Sequence, residues 1–576
     1  MDIESLITSR LRNALVGAGL SEKILYSEGE VRNTLLDFIE SLNEISSSVC
    51  RPFNSFALLC ALQHHLPLHI AKPRPGYEGD AQALFNNAAT MAFRFSSPTS
   101  ESKFRLDRTD YTRIAEANDF SWLDDYSEAI TQIYHIAAVI KFTLNNLHVL
   151  GKGAKIVLDL STNDTLSMIK AELPSELDRR LSEYDERVIN NQNILMKQAI
   201  PLGVVKPESP LKCVVVNPNW GLFRKDENNP SPIPLVFGMD AIYSFASLHV
   251  DEIMHIFDNR VHVEDLFICI AALFRPLVED ATSKRRFAGQ GYSFVDKQQL
   301  VDYISSWAPE IYVECFNEQV FEEGTPFVLE SLSPDYWKQV VPLMLQFIAH
   351  DFGSRNSIDC ILFHPAKFVY ICDEGTVFIH LGSVAHFFMH FLDQFNKSGY
   401  YGTIKGKALE SLLLSTIESI PGFQRVWEPG HKIKYQVAGK SGTDVDIFVR
   451  KDNLAILVSC KSSGVNRDYE LGSGQECWER SELAKGALRF AHETAKIIAD
   501  HYAELALPKG VKGILPLVCT GWPEYLFEPV EDFSMFDGTP RIATIREIQH
   551  FCSGIDDMAL QRLYSDPWMV MCERQS

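Results

Sequence analysis

Asp446 and Lys461 are the two residues of the sequence whose types and spacing most directly suggest chemistry. A carboxylate can hold Mg²⁺, a cation that prefers oxygen ligands and keeps several of its water molecules. A lysine near such a cation can position an attacking water molecule and stabilise the negative charge that develops at a phosphoryl group. The pair therefore has the residue types that metal-assisted hydrolysis of a phosphate ester requires.

Asp446 and Lys461 are predicted to meet on one face of a β-hairpin. Asp446 lies in DVDIFVR (444–450), Lys461 ends LAILVSCK (454–461), and the tight turn KDN joins the two segments. Side chains alternate across a strand, so each segment should have one apolar face. The predicted apolar face consists of Val445, Ile447 and Val449 with Ile456, Val458 and Cys460. The opposite face would then carry Asp444, Asp446, Ser459 and Lys461.

The elements around this hairpin form a short ordered series that begins near residue 396. Hydrophobic periodicity predicts a helix over 404–419, strands over 432–437, 444–450 and 454–461, a long helix over about 474–503, a strand over 512–519, and a late strand and helix over 541–551. The predicted order is α-β-β-β-α-β.

This series resembles the PD-(D/E)xK nuclease superfamily, which includes restriction endonucleases. Gly406-x-x-x-Glu410 matches the signature of the family's opening helix, and Asp446 in GTDVDIFV matches its metal-binding acid. ILVSCK, which ends in Lys461, matches the family's E-x-K strand in position. The resemblance implies a restriction-endonuclease-like core with Glu410, Asp446 and Lys461 as catalytic residues. It also implies that Mg²⁺ or Mn²⁺ binds to Asp446, Glu410 and the backbone carbonyl of Cys460.

Ser459 departs from the family pattern, because the family most often has Glu or Asp two positions before the lysine. Three explanations stay open. The acid has moved, either to Glu410 or to the segment after the lysine, where the candidates are Glu470, Glu476 and Glu479. Alternatively, the site works with fewer protein ligands, and the Cys460 carbonyl and water molecules complete the metal shell. In the third explanation the domain has lost catalysis and kept DNA binding.

The helix after the lysine is the expected substrate-contacting element, as it is in some members of the superfamily. A polar loop rich in glycine and serine precedes it, and such a loop could approach a phosphate backbone. Gln475 and Arg480 are the candidates for substrate contact by their positions in this helix.

A chain of 576 residues exceeds what one hydrophobic core usually supports, so two or three domains are expected. The overall class is predicted to be α/β. Residues 1–200 are predicted to be mainly helical, residues 201–395 to form an α/β middle region without an assigned role, and residues 396–576 to form the nuclease-like domain.

Composition and charge exclude several classes of protein. A formal net charge of −21 argues against a protein that coats nucleic acid non-specifically, although residues 401–500 have 14 Lys and Arg against 13 Asp and Glu. The 12 cysteines form no C-x-x-C pair, so zinc ribbons and disulfide scaffolds are disfavoured and reduced thiols in the cytoplasm are expected. No apolar run approaches the ~18–20 residues of a membrane helix, and no P-loop or G-x-S-x-G motif occurs.

His386, His390 and Asp393 form a second candidate metal site, because the histidines would share one helical face. No glutamate follows the first histidine and no third ligand is evident. The pattern therefore favours histidines packed on a partly buried helix over a metal site.

The resemblance implies a Mg²⁺-dependent endonuclease, a hydrolase of phosphodiester bonds with DNA as the expected substrate. The architecture is typical of a restriction or antiviral (antiphage) defence effector. In such an effector the amino-terminal region would bind a protein partner or a second copy of the chain. The alternative is an inactive nuclease fold that serves as a DNA-binding or scaffold subunit, with Ser459 as the mark of lost activity.

Overall fold

The computed structural model describes residues 3–22, 24–70, 81–98, 101, 125–196, 200–201, 212–215, 235–238, 265–266, 268–270, 272–273, 292–315, 332–351, 367–372, 375–380, 400–437, 440–461, 467–505, 508–528 and 530–572. Within these residues, no helix is both long enough and apolar enough to span a membrane.

The described elements are named in chain order. The helices are α1 (Ile3–Gly17), α2 (Glu28–Cys50), α3 (Ser55–Ile70), α4 (Ala81–Phe95), α5 (Ser127–Gly151), α6 (Ser175–Met196), α7 (Lys297–Cys315), α8 (Pro334–Ile348), α9 (Tyr400–Glu418), α10 (Arg467–Glu470), α11 (Gly474–Asp500), α12 (Ile545–Ser553) and α13 (Asp557–Leu563). The strands are β1 (Leu25–Tyr26), β2 (Lys155–Leu158), β3 (Ile169–Glu172), β4 (Ile200–Pro201), β5 (Lys212–Val215), β6 (Leu235–Gly238), β7 (Tyr292–Asp296), β8 (Ala349–Asp351), β9 (Val369–Ile371), β10 (Thr376–His380), β11 (Phe423–Trp427), β12 (His431–Val437), β13 (Lys440–Val445), β14 (Ile447–Lys451), β15 (Leu454–Lys461), β16 (Gly513–Thr520), β17 (Ile542–Thr544) and β18 (Val570–Met571).

The chain divides into two compact units, and this division differs from the three regions predicted from the sequence. The first unit consists of residues 1–150, 155–172 and 195–394. The second consists of residues 151–154, 173–194 and 395–576. Most of helix α6, which the sequence prediction assigned to the amino-terminal region, therefore packs with the carboxy-terminal residues.

Where its residues are described, the first unit combines helices with three small sheets. Helices α1 to α5 surround a core that also includes Tyr370 and Phe378 from strands β9 and β10. The sheets have the orders β1-β2-β3, β7-β10-β9-β8 and β4-β6-β5, and all their pairs are antiparallel except β8 with β9. The α/β class predicted from the sequence is confirmed at this level, as helices combined with mixed sheets.

The second unit is built on a sheet with the order β11-β14-β15-β16-β17, to which β18 adds beside β16. Strand β14 is antiparallel to β11 and β15, whereas β15, β16 and β17 are parallel. Along the chain, α9, β11, β14, β15, α11 and β16 follow the order helix, three strands, helix, strand.

The strand predictions near the site are confirmed in part. The predicted strand 432–437 is observed as His431–Val437, but it pairs with Lys440–Val445 as a hairpin outside the main sheet. The first strand of the main sheet is Phe423–Trp427, which was not predicted from the sequence. The predicted strand 444–450 is two strands, β13 and β14, because the chain bends at Asp446.

Helices cover both faces of the sheet, which explains the nearly continuous apolar sequences of β15 and β16. One face packs on α9 and α12 and includes Ile456, Val458 and Cys460. The opposite face packs on α11 and includes Ala455 and Leu457.

Val445 does not share a face with Ile447 and Val449, contrary to the prediction. Val445 packs in the core on the α11 side, whereas Ile447 and Val449 pack in the core on the α9 side. The bend at Asp446 interrupts the alternation of side chains between the two strands.

Candidate active site

Asp446 occupies the bend between β13 and β14, where its carboxylate is held by the neighbouring strand. The register that pairs Ile447 with Val458 brings Asp446 opposite Ser459. Oδ2 of Asp446 accepts a hydrogen bond from the backbone N–H of Cys460 at 2.7 Å and another from the Ser459 hydroxyl at 3.2 Å. Ser459 therefore orients the carboxylate of Asp446.

Lys461 ends strand β15 one residue beyond the peptide that contacts Asp446. Its Nζ donates to the backbone carbonyl of Cys460 at 3.2 Å, and its neighbour on strand β16 is Thr520. The Cys460 residue thus contacts Asp446 through its N–H and Lys461 through its carbonyl oxygen. This double contact fixes the acid and the lysine relative to each other.

Glu410 lies on α9, half-buried, within electrostatic reach of both residues. The pKa of Glu410 is raised from 4.5 to about 7. Burial is the largest cause, the negative charges of Asp446 and Asp444 contribute in the same direction, and Lys461 and Lys407 act in the opposite direction. The fold therefore brings together the three residues that the sequence analysis selected as catalytic.

The negative charges of Asp446 and Glu410 repel each other at the site. Like charges in one site oppose ionisation, and Asp446 is the largest charge that raises the pKa of Glu410. A bound cation would relieve this repulsion. Mg²⁺ commonly binds through one or two carboxylates and retains water molecules. In the part of the chain that the structure describes, no group of three or more His, Cys, Asp or Glu side chains could hold a metal ion.

The two predicted substrate-contacting residues differ in their surroundings. Gln475 is exposed in the first turn of α11 and donates from Nε2 to Glu479 Oε1 at 2.8 Å. Arg480 is only 10% exposed and donates two hydrogen bonds to Glu524, which is 3% exposed. The guanidinium of Arg480 therefore faces a buried carboxylate. The Cζ atom of Arg480 also lies 5.0 Å from the centroid of the Tyr469 ring.

A contact cluster between α6 and the carboxy-terminal residues was missed by the sequence analysis. Arg187 donates to both carboxylate oxygens of Glu547, at 2.7 and 3.0 Å, and to the carbonyl of Ile542 at 3.0 Å. The hydroxyls of Tyr184 and Tyr469 lie 3.2 Å apart. These contacts attach α6 to the elements that follow β15 and β17.

Lys152 belongs to the same cluster and is almost fully buried. Its Nζ lies 3.9 Å from the centroid of the Tyr184 ring and 5.5 Å from that of Tyr525. Burial lowers the pKa of Lys152 to about 8, and the charge of Asp185 opposes this shift. No role was predicted for this segment, GKGAK, from the sequence.

We expect Arg187→Ala to lower the free energy of unfolding of the second unit by about 2–3 kcal/mol, because Glu547 would lose its charged partner in a partly buried position. Urea titration followed by tryptophan fluorescence measures this loss. Arg179→Ala is the matched control on the same helix, since the ion pairs of Arg179 are more exposed and should contribute about 0.5 kcal/mol. Equal losses for the two variants would contradict the prediction.

The candidate zinc site at His386, His390 and Asp393 lies outside the described residues. Comparisons with known proteins identified no relative: no family model, curated protein or solved structure matches the chain.

Proposed function

We propose that the chain is a divalent-metal-dependent nuclease that hydrolyses phosphodiester bonds, with DNA as its substrate. The observation that carries this proposal is the electrostatic proximity of Glu410 to Asp446 and Lys461. Asp446 accepts a hydrogen bond from the Cys460 N–H, and Lys461 donates one to the Cys460 carbonyl. Two acids and a lysine at the end of a sheet are the groups that water attack on a phosphodiester requires.

Asp446 and Glu410 would hold Mg²⁺ or Mn²⁺, and the Cys460 carbonyl, which accepts a hydrogen bond from Lys461 without metal, would be a further oxygen ligand. When bound, the cation would lower the pKa of a water molecule and offset the charge of the phosphoryl group. Lys461 would orient that water and stabilise the negative charge on the phosphorus-bound oxygens. The oxygen of the attacking water bonds to phosphorus as the bond from phosphorus to the leaving sugar oxygen breaks. The water gives up one proton to the solvent and the leaving sugar oxygen takes one from the solvent, so the hydrolysis balances.

The position of Ser459 supports the first of the three explanations for the missing acid. Ser459 donates to Asp446, so it supports the first carboxylate, and Glu410 on α9 supplies the second. The core is accordingly proposed to be restriction-endonuclease-like. A restriction or antiphage role, with a protein partner or a second copy bound through the first unit, belongs to the same proposal.

A non-catalytic DNA-binding or scaffold role is the second candidate. It is favoured by the uncharged Ser459, which occupies the position two residues before Lys461. The two candidates predict different results with metal ions.

The test is cleavage of plasmid DNA, single-stranded DNA and RNA in Mg²⁺ or Mn²⁺ by the wild type, by Asp446→Asn and by Asp452→Asn. Asp452 lies in the turn between β14 and β15, at the opposite end of the same hairpin, and is the matched control. We expect cleavage by the wild type and by Asp452→Asn and a loss of at least about 1000-fold in Asp446→Asn. Cleavage that survives Asp446→Asn would assign the activity to another site, and no cleavage in either metal would favour the scaffold role.

A further inference from the structure

The hairpin of β12 and β13 stands outside the main sheet, and its inner face is firmly anchored. Ile433 and Val445 are buried against the core on the α11 side. The Tyr435 ring stacks on His501 with centroids 3.9 Å apart, and its hydroxyl donates to Glu504. These contacts on one face hold the hairpin in a defined position.

The outer face of β12 presents two lysines. Lys432 and Lys434 are exposed, and they alternate with the inward residues Ile433 and Tyr435. Side chains two positions apart on a strand are separated by about 7 Å. The ammonium group of Lys432 is 4.0 Å from the Asp444 carboxylate, and both side chains are more than half exposed. Such a contact contributes little energy and leaves the lysine available to a stronger anion.

The two lysines lie next to the candidate active site. Lys432 pairs across the hairpin with Asp444, and His431 pairs with Val445, the last residue before Asp446. Residues 431–445 include three lysines and one aspartate, a net charge of +2 with histidine neutral, in a chain of net charge −21. The hairpin next to Asp446 therefore has a net positive charge.

We infer that the outer face of this hairpin binds the phosphate backbone of the nucleic acid beside the cleaved bond, through Lys432 and Lys434. The inference rests on the proposed nuclease function. Lysines that neutralise phosphates release counterions and bind without reading sequence. The hairpin would hold the substrate strand in register with Asp446, so it contributes to substrate affinity rather than to the chemical step.

The experiment compares Lys432→Gln/Lys434→Gln with Lys509→Gln/Lys512→Gln in the full-length protein. Lys509 and Lys512 are exposed and precede strand β16. The first residue of β16 pairs with the first residue of β15, and Lys461 is at the other end of β15. Both double variants remove the same charge. Binding of fluorescein-labelled duplex and single-stranded DNA is measured by anisotropy in Ca²⁺ over a series of salt concentrations, and cleavage is measured in Mg²⁺.

For Lys432→Gln/Lys434→Gln we expect about a tenfold loss of affinity, with the slope of log K against log salt reduced by about 1.8 on duplex DNA. The kcat at saturating DNA should stay close to that of the wild type, and the control pair should retain its affinity. Equal losses of DNA affinity in the two double variants would overturn the inference. Unchanged DNA affinity of Lys432→Gln/Lys434→Gln, combined with an altered sedimentation coefficient, would also overturn it, because the two lysines would then contact a protein partner. A wild type that neither binds nor cleaves DNA would instead refute the proposed function.

Discussion

Replacing Lys461 by methionine is expected to lower kcat for phosphodiester cleavage by about 100- to 1000-fold, the usual effect of removing one group that stabilises transition-state charge. The affinity of Lys461→Met for Mn²⁺ should equal or slightly exceed that of the wild type, since the replacement removes a positive charge beside the site carboxylates. A loss of kcat without a loss of metal affinity distinguishes a role in the chemical step from a structural one.

Lys407→Met is the matched control for Lys461→Met. Lys407 also acts on the charge of Glu410, but its side chain is exposed on α9 and solvent screens it. Its replacement should change kcat by less than about tenfold. Equal losses in the two variants would show that only the general positive charge of the region matters. Isothermal titration with Mn²⁺ and single-turnover cleavage supply the two measurements.

The elements closest to the site could be predicted from the sequence because local patterns determine them. The strand Leu454–Lys461 has the predicted bounds, since an apolar run begins after the KDN turn and ends in a lysine. The predicted helix at 404–419 is observed as Tyr400–Glu418. Glu410 was selected from a family motif. Gly406 in the same motif is not required by close packing, because a Cβ there would lie 4.0 Å from Glu410 Oε1.

The features that could not be predicted from the sequence depend on contacts between residues that are far apart along the chain. The strand Phe423–Trp427 has Gln and Arg at exposed positions, so its sequence does not show the apolar pattern of a sheet strand. Arg187 and Glu547 are 360 positions apart, and no local pattern indicates that they form an ion pair. The face of Val445 was mispredicted because the bend at Asp446 is set by the contacts of its carboxylate with Ser459 and Cys460.

Glu410→Gln is expected to abolish cleavage and, in the absence of metal, to stabilise the protein. The folded chain holds a proton on Glu410 up to a pH of about 7, whereas the ordinary pKa is 4.5. Between these values the native state binds more protons than the unfolded state, so the stability contributed by this group falls as pH rises and is lowest above pH 7. The neutral amide has no such loss, because it does not ionise.

The expected gain for Glu410→Gln is about 1–2 kcal/mol at about pH 8, after allowance for solvent around a half-buried group, and near zero at about pH 5. Glu418→Gln, on the same helix, should show no gain, because Glu418 forms an ion pair with Arg425. Urea titrations of the three proteins at both pH values, in EDTA, measure these differences.

Bound metal should reverse the order of stability of the two proteins, so that the wild type becomes more stable than Glu410→Gln. A ligand that binds only the folded state stabilises it in proportion to the logarithm of its concentration relative to Kd. Millimolar Mg²⁺ or Mn²⁺ should therefore raise the stability of the wild type at about pH 8 and leave Glu410→Gln almost unchanged. If metal stabilises both proteins equally, Glu410 is not a ligand, and the second carboxylate of the site must be sought after β15, where Glu476 and Glu479 begin helix α11.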